Sequence, residues 1–477
     1  STLDAPMPEK LDRADVRLML VVAAVITVSV VYVRFNYEAA FPAASIELKL
    51  SKARITAEAE DFLRGRGLDT SGCRQLTLFD PDETARLYLE RELGLAEANR
   101  LMRDEVIVWR WRARWFRPPD KEEMIVHVTP GGSLAGFTHE IPEAAPGERL
   151  EIGKARELAR RFLDGQTRAR HRLVEERRIE RPNRYDYAFT WERENFRAKD
   201  ATDRRSIVVK GGRVGEYRAF LHVPEQWRRE FAALRSKNEL YTQVAQAFYV
   251  PLVLAAVGSL AVSIRRRRVP WRALLRISLA VGLLMVLAQW NNLPFFIDAM
   301  PTSAPYRESL AIGLLEGLGA GAGVFLYVML AAAAGEPLYR SALPGRLSLP
   351  AMFTLAGIRT KKFFRAVLAG YGFAAAHIAF VVGFYLIGRR FGVWSPQDIE
   401  YSDLLSTAVP WIYPLTISLL AATSEEFWFR LFAIPFLRRR VRLLWIAIAV
   451  PAFVWGFLHA NYPQQPAYIR GIEVGVI

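Results

Sequence analysis

Apolar and polar positions divide this chain into two kinds of segment. Long apolar runs, each near the roughly 20 residues that a helix needs to cross a bilayer, occur at the N-terminus and throughout the second half. A stretch without such a run lies between them. The pattern predicts seven membrane-spanning helices. They cover residues 18–33, 244–264, 273–293, 310–334, 366–388, 405–436 and 443–460.

The first apolar run lies between Arg17 and Arg34. No small-residue cleavage site follows it directly, as it would in a secretory signal peptide. We therefore predict that residues 1–34 form an uncleaved signal anchor with a cytoplasmic N-terminus, and that residues 35–238 lie outside the cytoplasm.

The stretch from 35 to 238 contains an internal repeat, with copies at about residues 46–145 and 146–230. Gly131-Gly132 of the first copy aligns with Gly211-Gly212 of the second. In each copy a helical pattern precedes alternating apolar and polar residues, which predicts a helix followed by a meander of three or four strands. The copies resemble two tandem PepSY-like or cystatin-like modules, giving an α+β region. Its exposed tryptophan, tyrosine and arginine residues could bind peptides, although aromatic residues at alternating strand positions are more often core. From its position alone, the region could also select substrates or dock on a protein partner on the far side of the membrane.

The chain has 477 residues and a net charge of +15, but its densest basic runs directly abut apolar segments. The runs at 265–268 and 438–440 are typical of the cytoplasmic loops of membrane proteins rather than of a nucleic-acid interface. They predict a multi-pass protein of the plasma membrane, with Arg389 and Arg390 as one basic pair on the wrong side. The single cysteine, Cys73, excludes an intrachain disulfide and a cysteine-based zinc cluster.

Three charged residues interrupt the sixth predicted span, in the sequence "TSEEFWFRLF". Charged side chains are costly inside a bilayer and suggest a functional site. At about 3.6 residues per turn, Glu426 and Arg430 share one helix face and are spaced for an ion pair, whereas Glu425 points about 100° away. Glu425 is therefore the candidate general base. The alternative is that all three only form polar contacts between packed helices.

The seventh predicted span ends with His459, in the sequence "FVWGFLHANYPQQP". The sixth and seventh spans form a hairpin that turns at residues 438–442. Counted from this turn, Glu425 and His459 lie at depths of about 20 and 25 Å. We therefore expect that the side chains of Glu425 and His459 can contact each other.

The sequence "EEFWFR" fits the EExxxR motif, and "WGFLH" approximates the FxxxH motif, of the CPBP family of CAAX prenyl proteases and bacteriocin-processing Abi proteins. The resemblance covers mainly residues 405–477. It implies a CAAX-protease-like bundle of membrane helices in which Glu425 and His459 activate water, and Glu426 and Arg430 complete the first motif. Trp455 stands where the family usually has phenylalanine, and we expect it only to line the site.

The family also has a later histidine motif, which has no counterpart after His459. The last residues, "GIEVGVI", begin an apolar helix that stops in mid-run, so we expect a fragment that is truncated at its C-terminus and could be inactive without the last motif. The first residue is Ser1 rather than methionine, which hints at the same for the N-terminus. Two forms of the site stay open. In one, His459 and Glu425 help to hold a zinc ion that lowers the pKa of bound water; in the other, Glu425 deprotonates water without a metal.

The leading hypothesis is an intramembrane endopeptidase that cleaves membrane-associated proteins or peptides. The first alternative is a non-catalytic membrane scaffold or immunity protein of the same fold. The second is a transporter that uses Glu425 and Glu473 as proton carriers, although the sequence lacks the duplicated broken helices of such proteins. Besides its substrates and a protein partner on the far side of the membrane, we expect the chain to contact the lipid bilayer. We do not expect it to bind nucleic acid.

Overall fold

A computed structural model describes residues 10–40, 46–396, 401–441 and 443–477. It has a bundle of long helices with a β-sheet domain at one end. The predicted features at Ser1 and Arg442 lie outside the described residues, as do the first residues of the predicted anchor.

The β-sheet domain is built on one antiparallel sheet of eight strands in the order β1-β2-β3-β4-β8-β7-β6-β5. It consists of two four-stranded meanders that join where β4 pairs with β8. The strands are β1 (Arg74–Phe79), β2 (Trp111–Phe116), β3 (Glu123–Val128), β4 (Leu134–Glu140), β5 (His171–Arg181), β6 (Arg184–Arg193), β7 (Thr202–Lys210) and β8 (Arg213–His222).

The two predicted repeats correspond to the two halves of this sheet. Gly132 has φ of +93° in the turn between β3 and β4, and Gly212 has φ of +91° in the turn between β7 and β8. Positive φ is a conformation that glycine adopts without a steric penalty, which explains the glycines in both turns. In the first half two additional helices separate β1 from β2.

The likeness of the two halves to PepSY or cystatin modules stays a prediction.

The helices of this domain are α2 (Lys52–Gly65), α3 (Glu83–Leu93), α4 (Leu95–Asp104) and α5 (Ile152–Gln166), after α1 (Arg13–Ala40) at the N-terminus. In α2 and α5, apolar residues four positions apart lie on one helix face, pack on the sheet and are fully buried. They are Ile55, Ala59 and Leu63 in α2 and Ala155, Ala159 and Leu163 in α5. The same spacing thus anchors the helix of each half to one shared core.

The remaining helices form the membrane bundle and its connections. They are α6 (Glu225–Arg265), α7 (Trp271–Asn291), α8 (Leu293–Ala299), α9 (Tyr306–Ala342), α10 (Leu349–Met352), α11 (Leu355–Ile358), α12 (Lys361–Arg389), α13 (Tyr401–Ser406), α14 (Ile412–Glu425), a π-helix (Glu426–Ala433), α15 (Ile434–Arg438), α16 (Leu444–Leu458) and α17 (Ile469–Val476).

Five helices of the described residues, α1, α6, α7, α9 and α12, are long and apolar enough to cross a membrane. These helices support a multi-pass membrane protein. The sixth predicted span is α14, the π-helix and α15 in direct succession, and it begins at Ile412 rather than at 405 because residues 405–406 belong to α13. The seventh corresponds to α16, a shorter apolar helix of 15 residues.

Helix α6 connects the sheet domain to the bundle without a break. It has 41 residues, so it is about 60 Å long and extends well beyond a bilayer core of about 30 Å. The domain boundary predicted at Asn238 lies inside this helix. Trp227, near the start of α6, is buried in the core of the sheet domain. The helix therefore belongs to both parts of the molecule.

The loops at one end of the bundle contact the sheet domain, and we call this the sheet end. Arg112 of β2 forms an ion pair with Asp298 of α8. Arg114 donates to the backbone carbonyl of Asp298 at 2.7 Å. The backbone N–H of Phe79 in β1 donates to Ser406 Oγ at 2.8 Å. The opposite end carries the two predicted basic runs, and we call it the arginine end.

Arg389 lies at the sheet end, where the positive-inside pattern does not explain it. Its guanidinium donates to the backbone carbonyls of Ala39 and Ala40, the last residues of α1. The carbonyls at a helix C-terminus lack partners within the helix and carry partial negative charge, so a cation is favoured there. For Arg389, the exception in the charge pattern thus has a local structural cause.

The glycines of the glycine-rich segment "GLGAGAG", residues 317–323 of α9, divide into two groups. A Cβ atom at Gly321 of α9 would lie 2.3 Å from Val286 Cγ2 of α7, and one at Gly317 would lie 2.8 Å from the Trp290 ring. Gly319 and the following Gly323 face open space. Close packing of α7 on α9 therefore depends on one face of the glycine-rich segment.

Candidate functional site

The charged sequence predicted as a site coincides with the π-helix Glu426–Ala433. π-Helices are rare and occur frequently at functional sites. Trp428 and Phe432 of this segment are fully buried. The Trp428 ring packs 5.2 Å from that of Tyr327 in α9. These buried aromatic residues fix the segment against the bundle while its charged residues face a more open side.

Glu426 and Arg430 form a direct ion pair, as their spacing predicts. Their side chains are 43% and 49% exposed, so each is about half-buried. The Arg430 guanidinium also lies 5.7 Å from the centre of the Trp455 ring. A cation near an aromatic face is stabilised by the ring electrons. Both charges of the pair therefore have partners.

Glu425 and His459 meet across the hairpin, as predicted. Glu425 is the last residue of α14, and His459 directly follows α16. Glu425 Oε1 lies 3.6 Å from His459 Nε2, and the two side chains are 33% and 29% exposed. This separation is longer than a hydrogen bond. It leaves the facing oxygen and nitrogen available to a bridging group.

Trp455 is a direct partner of both residues. Its Nε1–H donates to Glu425 Oε2 at 2.8 Å. Its backbone carbonyl lies 2.9 Å from His459 Nδ1. The expectation that Trp455 only lines the site is therefore wrong, since the indole N–H, which phenylalanine lacks, holds one carboxylate oxygen.

The contact with the Trp455 carbonyl determines how the His459 ring is oriented. A carbonyl oxygen only accepts hydrogen bonds, so the nitrogen facing it must carry the proton. In the neutral ring, Nδ1 is then the donor and Nε2 has the free lone pair. That lone pair faces Glu425.

Two buried amide side chains hold the loop after His459. Asn238 of α6 donates to the carbonyls of Gln464 and Ala467 at 3.2 and 3.1 Å. Gln464 donates to the carbonyl of Ala460 at 2.8 Å. Sequence reasoning missed Asn238, because a polar residue in a helix far from the motif gives no signal of this contact.

Glu473, the second carrier in the transporter alternative, is buried at a distinct position. It belongs to α17, and its Oε2 accepts from the Tyr385 hydroxyl at 3.1 Å. Its hydrogen-bond partner is therefore on α12, whereas the partners of Glu425 are on or next to α16.

The described residues do not by themselves make up a zinc site. A catalytic zinc ion usually has three protein ligands. The described parts of the chain contain no group of three or more histidine, cysteine, aspartate or glutamate residues able to hold a metal. Glu425 and His459 make two, and Trp455 already occupies one oxygen of Glu425.

Comparison with protein families finds a match to the model described as type II CAAX prenyl endopeptidase Rce1-like, over residues 407–476. This segment includes α14, the π-helix, α15, α16 and α17. The match confirms the resemblance to CAAX proteases for this part of the chain. Searches of curated proteins and of solved structures found no match.

Proposed function

We propose that this protein is an intramembrane endopeptidase in which Glu425 and His459 activate a water molecule. The observation that carries the proposal is the 3.6 Å separation of Glu425 Oε1 and His459 Nε2 inside the segment that matches the CAAX endopeptidase model. The substrates we propose are membrane-associated proteins or peptides, since the site lies within the helical bundle.

The proposed reaction begins with water between the two residues. A carboxylate oxygen and an unprotonated imidazole nitrogen both accept hydrogen bonds, so one water can donate a hydrogen to each. The water oxygen then directs a lone pair away from both. Glu425 takes one proton as this oxygen attacks the peptide carbonyl, and the proton later passes to the leaving amine as the C–N bond breaks.

The neighbouring residues would hold this geometry. Trp455 keeps Glu425 in place through one oxygen and leaves the other free for water. The Glu426–Arg430 pair would neutralise its own charges and leave Glu425 without a cationic partner. A carboxylate paired with a cation is a weaker base, because the cation favours its charged form.

The proposal keeps the predicted orientation in the plasma membrane. The N-terminus would be cytoplasmic, and the sheet domain would lie outside. The basic runs at the arginine end support this orientation. Arg91 of α3 donates to the Gln465 side chain, in the loop after His459, at 3.0 Å. Such a contact would let the sheet domain select or guide substrates.

The test compares wild-type protein with Glu425→Gln after reconstitution in liposomes. Two quenched fluorescent peptides serve as substrates, one with a prenylated CAAX terminus and one with a single apolar spanning segment. Because Gln cannot accept the proton, we expect cleavage to fall by about 10²- to 10⁴-fold. Thermal unfolding should be unchanged.

Glu308→Gln is the matched control, since Glu308 is an exposed glutamate near the start of α9. It should cleave like the wild type. Equal cleavage by wild type and Glu425→Gln would contradict the proposal. Peptide binding without cleavage by the wild type would instead favour the non-catalytic scaffold.

A further inference from the structure

A cavity at the arginine end lies far from Glu425 along the bundle. It has a volume of about 570 Å³, between α6, α9 and α15. This is within the range of small-molecule sites. Its lining includes Arg266 and Arg268, which follow the end of α6, and Arg439 and Arg440, which follow the end of α15.

The polar mouth of this cavity carries uncompensated positive charge. Four arginines line it, and none forms an ion pair with a carboxylate among the described residues. Nearby Arg340 differs, because it pairs with the buried Glu336 at 3.1 Å. No lining residue is acidic. Arginine donates several hydrogen bonds in a planar arrangement that suits phosphate oxygens.

Two of these arginines are held in place by neutral groups. The Arg440 guanidinium lies 3.6 Å from the centre of the Phe436 ring. Arg439 donates to the Ser341 hydroxyl. Neither contact neutralises the charge, and both reduce the freedom that the side chain would lose on binding a ligand.

The inner wall of the cavity is apolar and has free space. Ala255, Gly258 and Val262 lie on one face of α6, opposite Leu338 of α9. A Cβ atom built at Gly258 meets no heavy atom within 4 Å. The cavity thus has a cationic mouth at the edge of the bilayer and an apolar depth beneath it.

We propose that this cavity binds one anionic phospholipid from the leaflet at the arginine end. Its phosphate would contact Arg266, Arg268, Arg439 and Arg440, and an acyl chain would follow α6 past Gly258. Basic pockets between membrane helices suit anionic head groups. The role of basic residues in setting membrane orientation explains each arginine run by itself. It does not explain why two runs that are distant in sequence line the same cavity. The proposal is independent of the proteolytic function.

The experiment measures lipid binding to the purified chain in detergent by native mass spectrometry. The probes are phosphatidylglycerol and, as the neutral lipid, phosphatidylcholine. Glycerol 3-phosphate serves as a soluble competitor that carries the phosphate without acyl chains. We expect one tightly bound phosphatidylglycerol and little effect of the competitor.

Two variants separate the cavity from general surface charge. Arg266→Gln with Arg439→Gln removes two lining cations and should weaken phosphatidylglycerol binding about tenfold or more. Arg272→Gln with Arg359→Gln removes two exposed cations that do not line the cavity, and should leave binding unchanged.

Gly258→Leu tests the apolar depth without changing charge. Because the position faces open space, the larger side chain should fill the groove and weaken binding several-fold while the protein stays folded. Equal weakening by both arginine pairs, or no saturable preference for phosphatidylglycerol, would overturn the proposal. Full competition by glycerol 3-phosphate would also overturn it, in favour of a soluble phosphate site.

Discussion

The sheet domain and the membrane site both hold buried charges, but they neutralise them differently. In the sheet domain, Arg184 and Asp186 are 2% and 3% exposed and form an ion pair at 2.9 Å. Arg184 also donates to backbone carbonyls, including that of Ala145 at 2.7 Å. In the bundle, Glu425 has a neutral indole donor and an imidazole, and a third of its side chain is exposed.

The difference separates structural charges from reactive ones. A fully paired charge is costly to disturb and has no lone pair left for a substrate. A carboxylate held by one neutral donor keeps an oxygen free to take a proton. Glu426 and Arg430 show that both arrangements occur within one short segment, because they pair directly beside Glu425.

The largest expected effect on stability is at the structural pair. Asp186→Ala leaves the Arg184 guanidinium buried without its carboxylate, which costs about 3–5 kcal/mol in unfolding free energy. Loss of the bond from the Gly211 N–H to Asp186 Oδ1, 3.1 Å long, adds to this effect. Thermal unfolding of the full chain in detergent measures the change.

Glu157→Ala is the control, because Glu157 and its partner Arg161 are 71% and 79% exposed. Exposed pairs contribute at most about 1 kcal/mol. If Asp186→Ala and Glu157→Ala had equal effects, the distinction between buried structural pairs and surface pairs would be wrong.

Glu90 of α3 is an intermediate case, buried but only partly neutralised. Its Oε1 lies 3.2 Å from Arg86 Nη1, and its Oε2 has no partner among the described residues. Burial raises its pKa to about 7 from an ordinary value of 4.5, although Arg86 and Arg389 oppose the shift. Between these pH values the folded state binds more protons than the unfolded state, so stability falls as pH rises.

Glu90→Gln should remove this pH dependence. Relative to wild type, the variant should gain about 3 kcal/mol in unfolding free energy between pH 4.5 and pH 8, from a pKa difference of about 2.5. Thermal unfolding at both pH values tests this. The control Glu157→Gln, at an exposed position, should have the same pH dependence of stability as the wild type. If Glu90→Gln also had the wild-type pH dependence, the Glu90 carboxyl would be ionised in the folded state at no cost.

The smallest expected effect concerns the neutral donor at the site. Trp455→Phe keeps an aromatic ring but removes the N–H that holds Glu425. Hydrogen bonds to charged groups contribute about 1.5–3 kcal/mol, so we expect cleavage to slow by roughly tenfold or more. Thermal unfolding should hardly change. Trp411→Phe is the control, because Trp411 is 63% exposed, and this variant should cleave like the wild type. Full activity of Trp455→Phe would show that the indole contact is dispensable.

Much of the candidate site follows from local sequence patterns. The spacing of Glu426 and Arg430 predicts their pair, and counting from the hairpin turn places Glu425 near His459. Both predictions depend only on helix geometry and a short connection. The two Gly-Gly turns likewise mark equivalent hairpins in both halves of the sheet.

Other features could not be read from local patterns, because they depend on packing between distant segments. The π-helix is one, since buried rings such as Trp428 pack against Tyr327 of α9. The bond from Trp455 to Glu425 is another, because it needs a particular rotation of α16 relative to α14. The joining of β4 to β8 into one sheet also depends on how the two halves meet.

The apolar spans, the charged segment within one of them and the repeated helix-and-strand pattern could be predicted from the sequence, because each reflects periodicity within a short stretch. The groups that hold Glu425, the way Asn238 secures the loop after His459, and the arginines that line one cavity became visible only in the folded structure. These contacts join residues far apart in the chain. Their geometry is set by how the helices pack, which no local pattern encodes.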